Sequence, residues 1–428
     1  MGFRQATMLI AGLLVSIALG GTPARAVDLA MYYPVAVGGP LTAIMDDFVK
    51  RFEKENPDIR VHAVYSGNYT DTMTKAMTAM KGGQPPQLSV LLASDLFSLL
   101  DEKAIVSFDE LVGEDKSGWL KSFYPAFMEA SRTGGKTWSI PFQRSTIVLF
   151  WNKDAFKDAG LDPDKPPATW DEMRSMAKKL VKTNASGGGV TRWGIEIPST
   201  GYTFWMFQAL AIQNGQKLAD DTGEKVFFNT DKAVGALQYW VDLSAKDGVM
   251  PKGAVEWGTL RTDFLGGKTA MMWHTTGNLT AVKNDAKFKF GVSVLPAQAR
   301  RGSPTGGGNF YIFKNATPEQ RKAALKFVQW MTAPERAAEW SIKTGYVGVT
   351  PAAYETKEMK AYLEGFPAAA VARDQLADAV AELSTHENER INKLLGDSIQ
   401  SALTGASTPA AALGSAQNQA DRILKRYR

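Results

Sequence analysis

Apolar positions along this chain alternate between two rhythms. Leu29-Ala30-Met31-Tyr32-Tyr33 is a short apolar run that predicts a strand, and Pro34 to Pro40 is a loop rich in turn formers. Leu41, Ile44, Met45, Phe48, Val49 and Phe52 then share one face of a helix over 41–56. Pro57-Asp58 stops that helix, and Ile59 to Tyr65 alternates as a second strand. The same succession gives a helix over 72–81, a break at Gly82-Gly83-Gln84-Pro85-Pro86, a strand over 87–92 and a helix over 94–102. Strand, loop, helix and strand in this order imply a parallel sheet with right-handed crossovers. Ligands of such sheets sit beyond the carboxyl ends of the strands, here the loops 33–40 and 66–71.

The character shifts after Trp138-Ser139-Ile140-Pro141-Phe142, where Thr146 to Trp151 reads as a strongly apolar strand and 153–159 as a helix. A crossing into a second lobe is expected there. Beyond it, helices are predicted over 170–181 and from 201 to 211, with Ser186 to Gly189 a flexible turn. A buried strand is expected over 270–273. The runs 290–295 and 310–313 should return to the first lobe, and 318–340 and 388–404 are helical by period. The fold class is therefore α/β with two lobes. Residues 27–140 plus about 275–335 are assigned to the N-terminal lobe, and 141–274 plus about 336–428 to the C-terminal lobe.

Residues 1–26 read as an export signal. Arg4 gives a positive start, Met8 to Leu19 is the apolar stretch, and Ala24-Arg25-Ala26 is a small-x-small cleavage site, so the mature chain is expected from Val27. An anchor helix needs roughly 20 apolar residues, and Gly20-Gly21-Thr22-Pro23 closes this run earlier. The sequence has no cysteine, which excludes lipid attachment, disulfides and thiol chemistry. Removing 1–26 leaves more chain than one core accommodates, in keeping with two lobes. The net charge of +5 loses Arg4 and Arg25 with the signal and shows no basic block, so nucleic acid is not an expected partner. Eleven Trp, twelve Tyr and twenty-one Phe serve core packing, or line a cleft that stacks on the C–H faces of polyols and sugars.

Catalytic signals are thin. His62, His274 and His386 have no metal-ligand spacing, so neither a metal nor a cofactor is expected. Gly266-Gly267-Lys268-Thr269 lacks the first glycine of a phosphate loop and reads as a hairpin turn, and no G-x-S-x-G elbow occurs. Polar and aromatic groups do gather at predicted strand ends: Gly67-Asn68-Tyr69, Gln143-Arg144-Ser145-Thr146, His274-Thr275-Thr276-Gly277, Gly306-Gly307-Gly308-Asn309 and Lys343-Thr344-Gly345-Tyr346. Each alone also reads as an ordinary turn. Together they supply hydroxyls and glycine-exposed backbone N–H groups, the donors that phosphate oxygens require.

These motifs, with Arg51-Phe52, Glu55-Asn56-Pro57-Asp58, Asn152-Lys153-Asp154-Ala155-Phe156, Ala159-Gly160-Leu161-Asp162-Pro163, Thr169-Trp170 and Ala337-Ala338-Glu339-Trp340, carry a resemblance that runs diffusely over nearly the whole mature chain. It resembles the glycerol-3-phosphate receptors of bacterial ABC importers, within the extracellular solute-binding family that also includes maltodextrin receptors. The resemblance implies a monomeric periplasmic receptor that closes its lobes on a small phosphorylated polyol or sugar, is read by a membrane permease and catalyses nothing. It places the family's phosphate-contacting serine on Ser145, a second hydroxyl on Thr275, a backbone glycine on Gly308, a tyrosine on Tyr346 and the polyol-facing tyrosine on Tyr69. The phosphate-pairing arginine falls on Arg390 through a two-residue gap, with Arg144 as the rival. The family's polyol-binding glutamate aligns with Ala93, Asp95 being two residues on, and Tyr202 and Trp205 stand for its pocket tryptophan. Two competing readings are a receptor for a neutral sugar or oligosaccharide, which the aromatic count and Ala93 favour, and an exported hydrolase.

Overall fold

A computed structural model describes residues 26–114, 117–185 and 188–428. The export signal, save Ala26, and Ser186 and Gly187 of the glycine-rich turn lie outside the described residues. Strands β1 (Val27–Tyr33) and β2 (Ile59–Tyr65) pair in parallel from Val27↔Ile59 to Tyr33↔Tyr65, and β3 (Leu88–Leu92) lies on the other side of β1. The helix predicted between β1 and β2 forms over Leu41–Glu55 and buries the six apolar residues of its expected face.

A single strand runs through the region where the crossing is expected. β4 (Ile140–Asn152) is thirteen residues long and buried throughout, so the short run at Ile140 and the apolar run from Thr146 are one element. Its first half pairs antiparallel with β7 (Thr305–Ile312), which also pairs with β3, completing the first sheet. Its second half lies between β5 (Met271–Thr275) and β6 (Phe290–Ser293). A strand buried on both faces needs no alternation, which is why its distal half, Ile147 to Trp151, is apolar at every position. The register of β4 on β7 slips between Gly308 and Asn309, where Pro141 faces Asn309 and Phe142 is passed over. Proline donates no ladder hydrogen bond, and a bulge accommodates that.

Several expectations change. The run from Phe290 does not return to the first sheet: it pairs with the distal half of β4, from Phe290↔Asn152 to Ser293↔Leu149. Apolar periodicity marks a strand but not its partner. The region 318–340 is two helices, Pro318–Met331 and Pro334–Thr344, because Pro334 cannot continue the first and starts the second. Gly266-Gly267-Lys268-Thr269 joins the helix Trp257–Leu265 to β5, so it is not a hairpin; Gly267 takes φ +72 there. The helix predicted from Thr72 starts at Tyr69. Among the described residues no helix is long and apolar enough to cross a membrane.

Candidate functional site

The cleft walls come from strand ends and helix starts. Asn68 caps the helix Tyr69–Lys81 by accepting the N–H of Asp71, while the Asp71 carboxylate accepts the N–H of Asn68. That capping box fixes the first turn and with it Tyr69, which is buried and donates its hydroxyl to Gln143 Oε1 at 2.9 Å. Ser145 lies on β4 at the crossing, opposite Gly306. Thr275 ends β5, and its hydroxyl accepts the N–H of Gly277 at 3.1 Å to start a short 3-10 turn. Tyr346 follows the helix Pro334–Thr344, whose C-cap Gly345 takes φ +93, a value that favours glycine. Tyr202 and Trp205 come from the start of the helix Thr203–Gln213.

These six side chains line one cavity together with Ala36, Val37, Leu92, Trp257, Gly307 and Glu382. Trp257 organises its aromatic wall: its ring meets Tyr202 edge-on at 4.7 Å, lies 6.2 Å from Trp205 and 4.2 Å from the His274 ring. Burial pushes the hydroxyls of Tyr69, Tyr202 and Tyr346 above the ordinary phenol range, so all three are neutral donors. His274 is held down to about 4 by burial, and its Nδ1 accepts the Thr275 N–H at 2.9 Å; it is a neutral packing residue.

The glycine run supplies clearance. A side chain at Gly306 would lie 2.4 Å from the Trp205 ring, at Gly307 1.9 Å from the Gln143 carbonyl, and at Gly308 2.9 Å from the Tyr69 ring and 2.6 Å from Val90. Gly307, with φ +98, faces the cavity; Gly308 underlies Tyr69 and stands in register with Leu92 and Gln143 on its two neighbouring strands.

The two arginines part company. Arg390 is exposed on the helix Asn388–Leu403, in a surface hollow with Glu387, Arg422 and Arg426, and takes no part in the cavity. The alignment gap that selected it could not register which face of that helix it occupies. Arg144 is fully buried behind the wall, donating to the Gly307 carbonyl at 2.9 Å and to Thr305 Oγ1 at 3.0 Å, with its guanidinium 5.3 Å from the Phe127 ring. Ala93 is buried in a 3-10 turn after β3 and offers only a carbonyl, which accepts from Tyr311. Asp95 lines a neighbouring groove with Tyr69 and Tyr202, and burial raises its carboxyl to about 7.

Sequence reasoning missed two cavity residues. Trp257 carried a faint signal as an aromatic residue at a helix start. Glu382 carried none, since it lies in an irregular segment whose place is fixed by long-range bonds. Val380 exchanges backbone bonds with Ser303 and Thr305, Gln208 bonds the Ala381 carbonyl and the Leu383 N–H, and Ser384 donates to the Ser94 carbonyl. Glu382 is 4% exposed, and its Oε2 is buried without a partner. Burial raises its carboxyl to about 8, against the lowering effect of Arg144, with Asp95 adding to the rise.

Three bonds join segments around the cavity that are far apart in sequence: Trp205 Nε1 to the Thr305 carbonyl at 2.9 Å, Trp257 Nε1 to the Ala36 carbonyl at 2.9 Å, and the Gly38 N–H to Asn278 Oδ1 at 3.0 Å. The space these residues leave is about 30 Å³, where a single water needs roughly 10–15 Å³. A solute therefore enters only if the walls part. The adjoining groove, about 450 Å³, shares Tyr69, Leu92 and Tyr202 with the cavity. Among the described residues no three His, Asp or Glu side chains are grouped to hold a metal ion.

Residues 47–368 match the family description "Bacterial extracellular solute-binding protein". The chain is 29% identical over 402 residues to the sn-glycerol-3-phosphate-binding periplasmic protein UgpB of Yersinia pseudotuberculosis, covering 91% of each. Its fold is similar to that of UgpB from Mycobacterium tuberculosis in complex with glycerophosphocholine, with TM-score 0.80, 22% identity and coverage of 92% of this chain and 98% of that one. It is equally similar to maltose-bound MalE3 of T. maritima, with TM-score 0.80, 22% identity and coverage of 93% and 100%.

Proposed function

The chain belongs to the bacterial extracellular solute-binding proteins, and from that premise we propose that its aromatic cavity captures a small neutral polyol or sugar for delivery to the permease of an ABC importer. As a solute-binding component it is periplasmic and carries out no reaction. On the sequence, it is exported with cleavage after Ala26 and acts as a monomer.

The observation that carries the choice of ligand is the charge inventory of the cavity. Its lining contains hydroxyls, aromatic faces and the carboxyl of Glu382, but no lysine, arginine or histidine. The buried guanidinium behind the wall, Arg144, already serves Gly307 and Thr305. Whether Glu382 is ionised or protonated, a phosphate dianion would have no free cation there, and an unpaired buried charge costs several kcal/mol. A neutral polyol needs only hydrogen-bond partners and flat apolar faces, which this lining supplies.

A second reading, a phosphorylated polyol such as sn-glycerol 3-phosphate or a glycerophosphodiester, is favoured by the names of the relatives and by the convergence of Tyr69, Ser145, Thr275 and Tyr346. Calorimetric titration with sn-glycerol 3-phosphate, glycerol, maltose and mannobiose separates the readings. Heat with a neutral solute supports the first, and heat with the phosphate ester alone supports the second. Release of inorganic phosphate during incubation would overturn both in favour of an enzyme.

A further inference from the structure

We propose that Glu382 is the specificity-determining residue of the cavity, the group that accepts hydrogen bonds from the hydroxyls of a neutral polyol or sugar; this rests on the neutral-solute reading given above. Three observations converge on it. Glu382 is the sole carboxylate among the side chains lining the cavity, facing the same space as Ser145, Thr275 and the aromatic wall. Its Oε2 is shielded from solvent and has no hydrogen-bond partner, and a buried polar oxygen left unpaired is costly unless something satisfies it. Its backbone is clamped on both sides, to β7 through Val380 and to the helix Thr203–Gln213 through Gln208, so the carboxyl is held in place before any ligand arrives.

A ligand hydroxyl donating to Glu382 would satisfy a buried carboxyl oxygen that the fold leaves unpaired. Arg144 stands behind the wall as its electrostatic counterpart without forming an ion pair among the described residues, which leaves the carboxyl available to the ligand. Discrimination follows from the same geometry. A site built around a buried hydrogen-bonding group rejects analogues that cannot engage it far more strongly than an apolar pocket rejects a difference in size.

The test is calorimetric titration of the wild-type chain and of Glu382→Gln, Glu382→Ala and Tyr202→Ala with glycerol, maltose, mannobiose and sn-glycerol 3-phosphate, each variant checked by thermal melting. The wild type is expected to bind a neutral probe. Both Glu382 variants should then weaken that probe by about tenfold, the range for losing a hydrogen bond in a buried site and leaving its partner unpaired. Glu382→Gln should weaken sn-glycerol 3-phosphate less than the neutral probe. If a neutral probe binds the wild type and both Glu382 variants equally while Tyr202→Ala loses it, the proposal is overturned and the cavity reading stands. A wild type that binds sn-glycerol 3-phosphate alone, or none of the four, overturns the neutral-solute reading and the proposal with it.

Discussion

Trp257 and Ala36, 221 residues apart, are joined across the cleft by an indole N–H that donates to a backbone carbonyl at 2.9 Å. The same indole forms the aromatic wall of the cavity, so one side chain both lines the site and ties its two sides together. Family members of this architecture close by hinge motion. A bond present only when the walls meet shifts that equilibrium by about its own net worth, roughly 1 kcal/mol.

Trp257→Phe keeps an aromatic ring against Tyr202 and removes the N–H. Affinity for the bound solute should fall about fivefold through a less populated closed form. Small-angle scattering of the ligand-free variant should show a larger radius of gyration. Unchanged affinity and dimensions would mean that the bond does not hold the walls together.

Stability should fall as pH rises from 6.5 to 8.5. Burial raises Glu382 to about 8 and Asp95 and Glu196 to about 7, so the folded chain keeps protons that the unfolded chain has already released. The unfolded state binds fewer protons through this window, and the slope of stability with pH is negative. His274, lowered to about 4, has the opposite slope, but only below its ordinary value of 6.5. Melting temperatures at pH 6.5, 7.5 and 8.5 should decline, and Glu382→Gln should flatten the decline. A wild-type profile without slope would contradict these protonation states.

Gly308→Ala should damage the site through packing. Its added carbon would sit 2.9 Å from the Tyr69 ring and 2.6 Å from Val90, an overpacking that costs about 1–3 kcal/mol. Melting should drop, and solute affinity with it, because Tyr69 must move off Gln143. Gly365→Ala, which meets open space at the end of a helix, serves as the control and should leave both unchanged or melting slightly raised. Equal behaviour of the two variants would refute the clearance role.

Arg144→Gln and Arg390→Gln should differ sharply. Removing Arg144 orphans the Gly307 carbonyl and the Thr305 hydroxyl, worth about 1–3 kcal/mol of stability, and takes away the charge that holds Glu382 down. Arg390 is exposed and outside the cavity, so its loss should stay within about 0.5 kcal/mol and leave affinity alone. Denaturant titration and calorimetry on both variants check this, and an affinity loss confined to Arg390→Gln would place the anion partner on the outer helix after all.

Much of this protein was legible in the sequence because it is decided locally. The apolar face of Leu41–Glu55 and the apolar distal half of β4 follow from periodicity, and Tyr69, Ser145, Thr275 and Tyr346, which the family resemblance singled out, line one cavity. The apolar run from Thr146 to Trp151 marked a strand, but its union with Ile140–Phe142 into one thirteen-residue element, across the polar Gln143-Arg144-Ser145, appears only in the structure. Pairing was not legible: the run at Phe290 was a strand by pattern, and only the register with Leu149–Asn152 assigns it to the second sheet. Nor was the purpose of Gly306-Gly307-Gly308, which the sequence offers as donors and the packing of Trp205, Gln143 and Tyr69 reveals as clearance. Most of all, the charge of the site was decided by tertiary structure. Which arginine is buried and which carboxylate faces the cavity depend on contacts across the chain, such as Gln208 with Leu383 and Ser94 with Ser384. Local residue order specifies an element and its apolar face, whereas the desolvation that makes Glu382 and Arg144 matter arises only when distant segments close around them.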